Sequence, residues 1–325
     1  MHLGSANQND LNEIVDLMKV ILPKLNRNRE LLFWQYFQTP TGSAKLYTIR
    51  EKDKIVSFYA AVAMSLRINE KIYSARMIQD VMTLPDYRGR GYLHHLAKAC
   101  FKEMNKKNEI GFTFPNEKSH KSFIRTGWDV LAKVPLRELL ISCHNNQILN
   151  LSEKLIELED IKLPFSNMKN SKNLHPIIDE IWTQSGIQNS INRDYEYLNW
   201  RYSKPGEKYF GFLINNNAGF LVIKVFDNEN QKIVHICDLI MKKNEQKLIS
   251  EVLKFVKNYA VMQNAQKITA WCLDDNPYSQ YFDNVGLRLV KNYNRTIFIN
   301  AQGNSSPFIT QKEFWHISQA DSDVY

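Results

Sequence analysis

Ile78-Gln-Asp-Val-Met-Thr-Leu-Pro-Asp-Tyr-Arg-Gly-Arg-Gly-Tyr-Leu93 is the stretch on which the reading of this chain turns. From Ile72 to Thr83 the β-branched and apolar residues come in runs too short and too uniform for an amphipathic helix, which predicts a buried strand. Pro85 and Asp86 end it. From Leu93 onward, Leu96, Ala97, Cys100, Phe101 and Met104 fall on one helical face. The order is strand, glycine turn, helix. The first N–H groups of a helix lack internal partners and the helix dipole makes that end positive, so such a junction suits an anion, phosphate above all. Gly89 and Gly91 let the backbone approach closely, while Arg88 and Arg90 add charge and forked donors. Taken alone, the same four residues also fit a solvated basic turn.

The context resembles the GNAT superfamily of acyl-CoA N-acyltransferases, whose signature is Arg/Gln-x-x-Gly-x-Gly/Ala between the fourth strand and the following helix. Here it reads Arg88-Gly-Arg-Gly91-Tyr-Leu93, with Leu93 in place of the last small residue. A second landmark of the family is an Asn after the fifth strand followed by a Gly-aromatic pair, matched by Asn116 and Gly127-Trp128. The resemblance implies that Arg88, Gly89, Arg90, Gly91, Tyr92 and Leu93 hold the pyrophosphate of acetyl-CoA, the acyl donor. It further implies that the backbone of Val81, Met82 and Thr83 aligns the pantetheine and thioester, and that Asn116 and Phe123 border the same site. Asp80 stands where many members carry the acid that deprotonates the amine; its alternative reading is a carboxylate paired with Arg76 or a surface lysine. The family's usual general acid, a Tyr four residues before the late Gly, is Phe123 here, leaving Ser122, His120, a tyrosine elsewhere or an unaided thiolate.

At 325 residues and 44% hydrophobic content, the chain is long enough for two ordinary cores. Its longest apolar run, Ile55 to Met64, is too short to span a bilayer, and Met1 to Leu11 holds Asn and Asp where a signal peptide needs an apolar core. The expectation is a cytoplasmic protein with no membrane partner. Cys100, Cys143, Cys237 and Cys272 are far apart, which argues against zinc and disulfides and predicts buried thiols; no metal is expected. The net charge of +8 is met by a polyanionic ligand or a solvated lysine surface, and no nucleic-acid signature accompanies it.

The remaining pattern predicts helices from Leu11 to Leu22, Glu30 to Phe37, Leu93 to Asn105 and Ser119 to Thr126. Strands are predicted over Lys45 to Arg50, Ile55 to Ile68, Ile72 to Thr83, Ile110 to Phe114 and Trp128 to Leu139. This is an α+β fold, a mixed central sheet flanked by helices.

Beyond a weakly patterned stretch from Cys143 to His175, with helical spacing from Leu149 to Leu158, the chain repeats itself. Asn28 to Tyr36, then Pro40, is echoed by Asn192 to Tyr202, then Pro205. Ile236-Cys-Asp238 answers Ile78-Gln-Asp80, and Asn276, Phe282 and Gly286 answer Asn116, Phe123 and Gly127, at offsets between about 158 and 166 residues. Two tandem GNAT-like domains are expected: residues 1–143 binding acyl-CoA, a linker over 144–175, a degenerate copy over 176–300, and a tail over 301–325. No glycine lies between Gly219 and Gly286, and Glu245 follows Met241 closely, so the second copy should not hold a pyrophosphate. In the tail, either Phe308, Phe314 and Trp315 dock on the second domain while Asp321 and Asp323 stay solvated, the preferred reading, or the tail closes over the acceptor groove.

The expected activity is N-acyl transfer from acetyl-CoA to the primary amine of a small molecule, an amino sugar by preference. Two alternatives accompany it: an aminoacyl transferase of the cell-wall-precursor type, and an acyl-CoA-binding module without turnover.

Overall fold

The computed structural model describes residues 2–141, 157–163, 173–293, 295–301 and 307–322. They form two compact units, residues 1–133 with 295–311 and residues 134–294 with 312–325. The first holds β1 (His2–Ala6), α1 (Leu11–Ile21), α2 (Arg29–Phe37), β2 (Lys45–Glu51), β3 (Lys54–Ile68), β4 (Lys71–Thr83), α3 (Tyr92–Lys106), β5 (Ile110–Thr113), α4 (Glu117–Arg125) and β6 (Asp129–Val134). The second begins with β7 (Leu136–Leu140), β8 (Leu158–Ile161), α5 (Leu174–Gln184), β9 (Ser190–Ile191) and α6 (Tyr195–Arg201). It continues with β10 (Tyr209–Ile214), β11 (Gly219–Asp227), β12 (Lys232–Met241), α7 (Ile249–Met262), β13 (Lys267–Trp271), α8 (Ser279–Asn284) and β14 (Arg288–Leu289). Strand β15 (Arg295–Asn300) then returns to the first unit.

Both units are mixed sheets of one plan. In the first the strands run β1-β2-β3-β4-β5-β15-β6. In the second they run β14-β7-β13-β12-β11-β10-β8. Each has an antiparallel meander followed by one parallel pair, β4 with β5 and β12 with β13. The meander turns are short because Lys52 and Asp53, and again Asn69 and Glu70, take positive φ at both central positions, the twist that antiparallel neighbours need.

The predicted strand from Trp128 to Leu139 is in fact two, and Pro135 divides them. Proline has no N–H for a continuing ladder, and past it the chain changes sheets. β7 lies between β13 and β14 of the second unit, while β15 lies between β5 and β6 of the first, with Ile299 opposite Phe112. The division therefore differs from the sequential blocks expected at residues 143 and 300, because each unit lends the other a strand. Within the stretch expected as a linker, β8 pairs with β10. The helical spacing from Leu149 falls outside the described residues except at its end, where Leu158 is extended.

In the first unit α3 covers one face, where Tyr47, Ile49, Tyr59, Ile78, Leu96, Cys100, Phe123 and Phe298 form a buried cluster. α2 covers the other, its Tyr36 ring 6.0 Å from that of Phe58, next along β3 to Tyr59 and so facing oppositely. The second unit buries a similar cluster between α7 and its sheet, including Leu239, Val252, Val256 and Ile268.

The C-terminal segment packs into the second unit as predicted for its aromatic Trp315, which is 1% exposed, but Asp321 is buried as well. Arg193 Nη2 donates to Asp321 Oδ1 at 2.6 Å, and Arg201 donates to the carbonyls of Ala320 and Ser322. The acid was expected in solvent; a buried guanidinium draws it in. One guanidinium here serves two buried carboxylates, and burial pushes the Asp321 carboxyl up to about 6. Cys100, Cys237 and Cys272 are buried free thiols raised to about 12 by burial, and Cys143 lies outside the described residues.

Ending the chain after Leu140 removes β15 and leaves β5 and β6 without the strand that joins them. We expect such a fragment to show no cooperative melt by circular dichroism where the full chain does. A cooperative transition within a few degrees of the parent would show that the exchanged strand is dispensable.

Candidate acyl-CoA site

The predicted strand, turn and helix are β4, residues 84–91 and α3. β5 pairs with β4 only from Ala75 opposite Ile110 to Met77 opposite Phe112. β4 then runs on alone on that side as far as Thr83, while β3 still pairs with its other edge, Ser57 opposite Thr83. The hydroxyl of Thr113 donates to the Ile78 carbonyl at 2.8 Å, where the two strands part. The parted strands leave the β5-side edge of Gln79 to Thr83 with no strand beside it among the described residues. The Thr83 hydroxyl itself is 2.8 Å from that of Ser57, which fixes its direction.

Gly89 and Gly91 take φ of +78° and +76°, and a Cβ built on either would meet nothing within 4 Å. The first observation requires glycine for its backbone; the second leaves the surface in front of the turn open to a ligand. Gly91 is the N-cap of α3 and caps with no side chain. The N–H groups of Tyr92, Leu93 and His94 precede the first helical bond, from His95 N to Gly91 O at 3.2 Å, and no acidic residue stands in the first turn. Arg88 and Arg90 are exposed beside them, held by bonds to the carbonyls of Thr83 and Asp86. Arg90 also lies 4.9 Å above the Tyr87 ring. An uncapped fifteen-residue helix, two open glycines and two guanidiniums fit a pyrophosphate.

The other expected residues are engaged in backbone, capping or packing contacts. Leu93, the departure from the motif, packs against the α3 cluster. The Tyr92 ring is buried, its hydroxyl donating to Glu51 Oε1 at 2.6 Å, so that bond holds the Glu51 carboxyl below its ordinary value. Only the Tyr92 backbone faces the turn as a donor. Asn116 is the N-cap of α4, its Oδ1 accepting from Ser119 N at 3.0 Å. Phe123 is 4% exposed and packs against Trp128 and Phe298, centroids 5.6 and 6.2 Å away. The ring of His120 lies 4.8 Å from Phe298, and His94 and His95 are exposed on the first turn of α3.

Asp80 sits at a bulge. Phe58 opposes Met82 and Ala60 opposes Gln79, so Tyr59 alone faces both Asp80 and Val81, and Asp80 takes φ of +51°. Its carboxylate, 4% exposed, accepts from Gln35 Nε2 at 2.6 Å and from the Tyr36 hydroxyl at 2.7 Å, with Arg27 at 3.8 Å. Arg76, the partner weighed from sequence, instead pairs with Glu109 at 2.8 Å. Sequence reasoning missed Arg27, Gln35 and Tyr36, although Gln35 and Tyr36 close the repeat at Asn28 to Tyr36.

The corresponding place in the second unit is closed. After Met241 the chain enters a 3-10 turn over Lys243–Leu248 rather than a glycine loop. The Met241 N–H donates to the buried Tyr278 hydroxyl at 3.0 Å, so the strand edge is already occupied. A cleft of about 130 Å³ nearby, bordered by Gln188, Gln246, Tyr278, Glu313 and His316, has no Lys or Arg in its lining. Among the described residues no cluster of His, Cys, Asp and Glu is suited to a metal, and no helix is long and apolar enough to cross a membrane.

Residues 3–130 match a family model described as an acetyltransferase (GNAT) domain, a segment that makes up most of the first unit. No curated protein matches the chain in sequence. Among solved structures, a protein of unknown function from Enterococcus faecalis V583, described as a probable N-acyltransferase, superimposes with a TM-score of 0.69 at 9% identity, over 96% of this chain and 74% of its own. A GCN5-related N-acetyltransferase from Anabaena variabilis gives a TM-score of 0.68 at 14% identity, over 92% and 72%. The N-myristoyltransferase of Saccharomyces cerevisiae with bound myristoyl-CoA gives 0.61 at 10% identity, over 92% and 82%. At these identities the likeness is one of fold, and it extends over both units.

Gly91→Asp would add strain at a positive φ, about 1 kcal/mol, and set a carboxylate against the phosphate. Calorimetry should show at least a tenfold loss of acetyl-CoA affinity in a variant whose circular dichroism is that of the parent. Parent-like binding would remove the turn from the site.

Proposed function

We propose that the chain is an N-acyltransferase that takes its acyl group from acetyl-CoA and passes it to the primary amine of a small molecule, with amino sugars the preferred class. The observation that carries this reading is the open glycine turn at the uncapped start of α3, beside a β4 edge that β5 has left. Arg88, Arg90 and the first-turn N–H groups would hold the pyrophosphate. The backbone from Val81 to Thr83 would orient the pantetheine and place a donor near the thioester oxygen. The bound donor supplies an activated carbonyl; the amine nitrogen attacks it, the C–S bond breaks, and the amine proton passes to a base or to water.

Phe123 offers no proton to the sulfur, and a thiol with pKa near 8.5 leaves tolerably without one. The acceptor follows from the same poverty of acid and base groups. An amine of pKa near 10.4 is neutral in fewer than about one part in a thousand at pH 7, which adds roughly 4 to 5 kcal/mol to the barrier. One near 8 adds only about 1.4 kcal/mol. A site without a strong base favours the second, and a basic turn also suits phosphates carried by a nucleotide-linked sugar.

Two other readings have specific support. Phe123 in the core favours an acyl-CoA-binding module without turnover, and the fold shared with a myristoyltransferase raises a longer acyl chain. The intact turn favours free CoA over an aminoacyl donor.

One experiment separates these readings: titrate the full chain with acetyl-CoA and myristoyl-CoA, then follow thiol release with an amino sugar and a lysine peptide. We expect one site per chain, acetyl transfer, and a rate at least tenfold higher for the amino sugar at pH 7. Binding without thiol release on any amine would favour the module, and preference for the lysine peptide would overturn the acceptor class.

A further inference from the structure

The carboxylate at the β4 bulge has a counterpart in the second unit. There Val222 opposes Asp238 and Ile223 opposes Ile236, so β12 carries one extra residue, Cys237, beside Asp238. Asp238 is fully buried. It accepts from Arg193 Nε at 2.7 Å, from the Tyr202 hydroxyl at 2.5 Å and from the Ser318 hydroxyl at 2.8 Å.

The two settings match position by position. Asn28 caps α2 through Leu31 N, and Asp194 caps α6 through Tyr197 N, both at 2.8 Å. One residue before each cap stands an arginine, Arg27 or Arg193; eight residues after each stands a tyrosine, Tyr36 or Tyr202. Arginine and tyrosine both reach the carboxylate at the bulge in each unit. The structural register thus sets Arg27 against Arg193 and Asn28 against Asp194, two residues from the match that the sequence echo gives at that end.

The second unit keeps this clamp although it has no glycine turn and its β12 edge is taken by Tyr278. The clamp is thus kept where the open glycine turn and free strand edge of the first unit are lacking. In both units it ties the helix before the meander to a strand that has just slipped register, where an unsatisfied carboxylate or an unsupported bulge would be costly. Left-handed φ at a non-glycine residue also needs support from its surroundings, and Asp80 has it.

We propose that Asp80 is a positioning residue: bound to Tyr36, Gln35 and Arg27, it fixes the bulge and so aims the β4 backbone from Val81 to Thr83, and it does not take the proton of the amine. The proposal rests on the reading of that backbone as the seat of the acyl donor. A carboxylate that is 4% exposed and already accepts two short hydrogen bonds has little left to offer an acceptor substrate.

The test uses the full chain. Tyr36→Phe removes one donor to Asp80 and keeps the ring packed against Phe58; Asp80→Asn keeps an acceptor oxygen in a residue tolerant of left-handed φ. Both single variants should lower kcat by about tenfold with the amine KM within about twofold, and the double variant should be little worse than either. The pH dependence of kcat should keep the parent's apparent pKa in all three.

Two results would overturn the proposal. One is a kcat unchanged in Tyr36→Phe while Asp80→Asn shifts or abolishes the pH limb, the mark of a base. The other is turnover unchanged in both, the mark of a purely structural group. If the parent turns over no amine, the enzymatic reading fails separately, and hydrogen exchange still decides the clamp. Tyr36→Phe should then speed exchange at the amides of Val81 to Thr83 and weaken acetyl-CoA binding; parent-like exchange would refute it.

Discussion

A β-strand that loses its neighbour partway along must find other partners for its backbone or leave them for a ligand. The candidate site of this chain follows from that constraint. In the first unit β4 parts from β5 after Met77, and the next six residues, Ile78 to Thr83, lead to a turn whose two glycines and uncapped helix face open space. In the second unit β12 and β13 pair from Ile233 opposite Lys267 to Ile236 opposite Ala270 and then part likewise, but the Tyr278 hydroxyl takes the Met241 N–H. The same architecture is kept receptive in one copy and satisfied internally in the other. The difference rests on a few side chains, not on the fold.

Much of the first unit was legible because its signals are local. The helix faces of α1 and α3, the two-residue turns at Lys52-Asp53 and Asn69-Glu70, and the Arg-Gly-Arg-Gly junction each depend on neighbours in sequence. The division of the chain was not legible. Pro135 announces a break, but which sheet β7 joins after it depends on partners more than a hundred residues away, such as Ala270 opposite Arg137. Periodicity carries the face a strand buries and not the address of its neighbour.

The site divides in the same way. The backbone positions from Arg88 to Gly91 were readable because glycine's freedom at positive φ is a property of the residue. The partners of Asp80 were not, since Arg27, Gln35 and Tyr36 arrive from a separate helix. Asn116 and Phe123, singled out by likeness to a motif, are a helix cap and a core residue. The fate of Asp321 was hidden for a related reason: a terminal acid looks solvated until a buried Arg193 is known to wait for it.

The traded strands also bear on how the molecule is made. The gap between β5 and β6 is closed by residues 295–300, which are synthesised only after all of β7 to β14. At roughly 5 to 20 residues per second, the nascent first unit waits on the order of ten seconds or more with an unfilled edge in its sheet. Such an edge is a template for strands of other molecules. The protein's exposure to misassembly is therefore greatest during its own synthesis, and heating or denaturing the finished chain returns it to that vulnerable state.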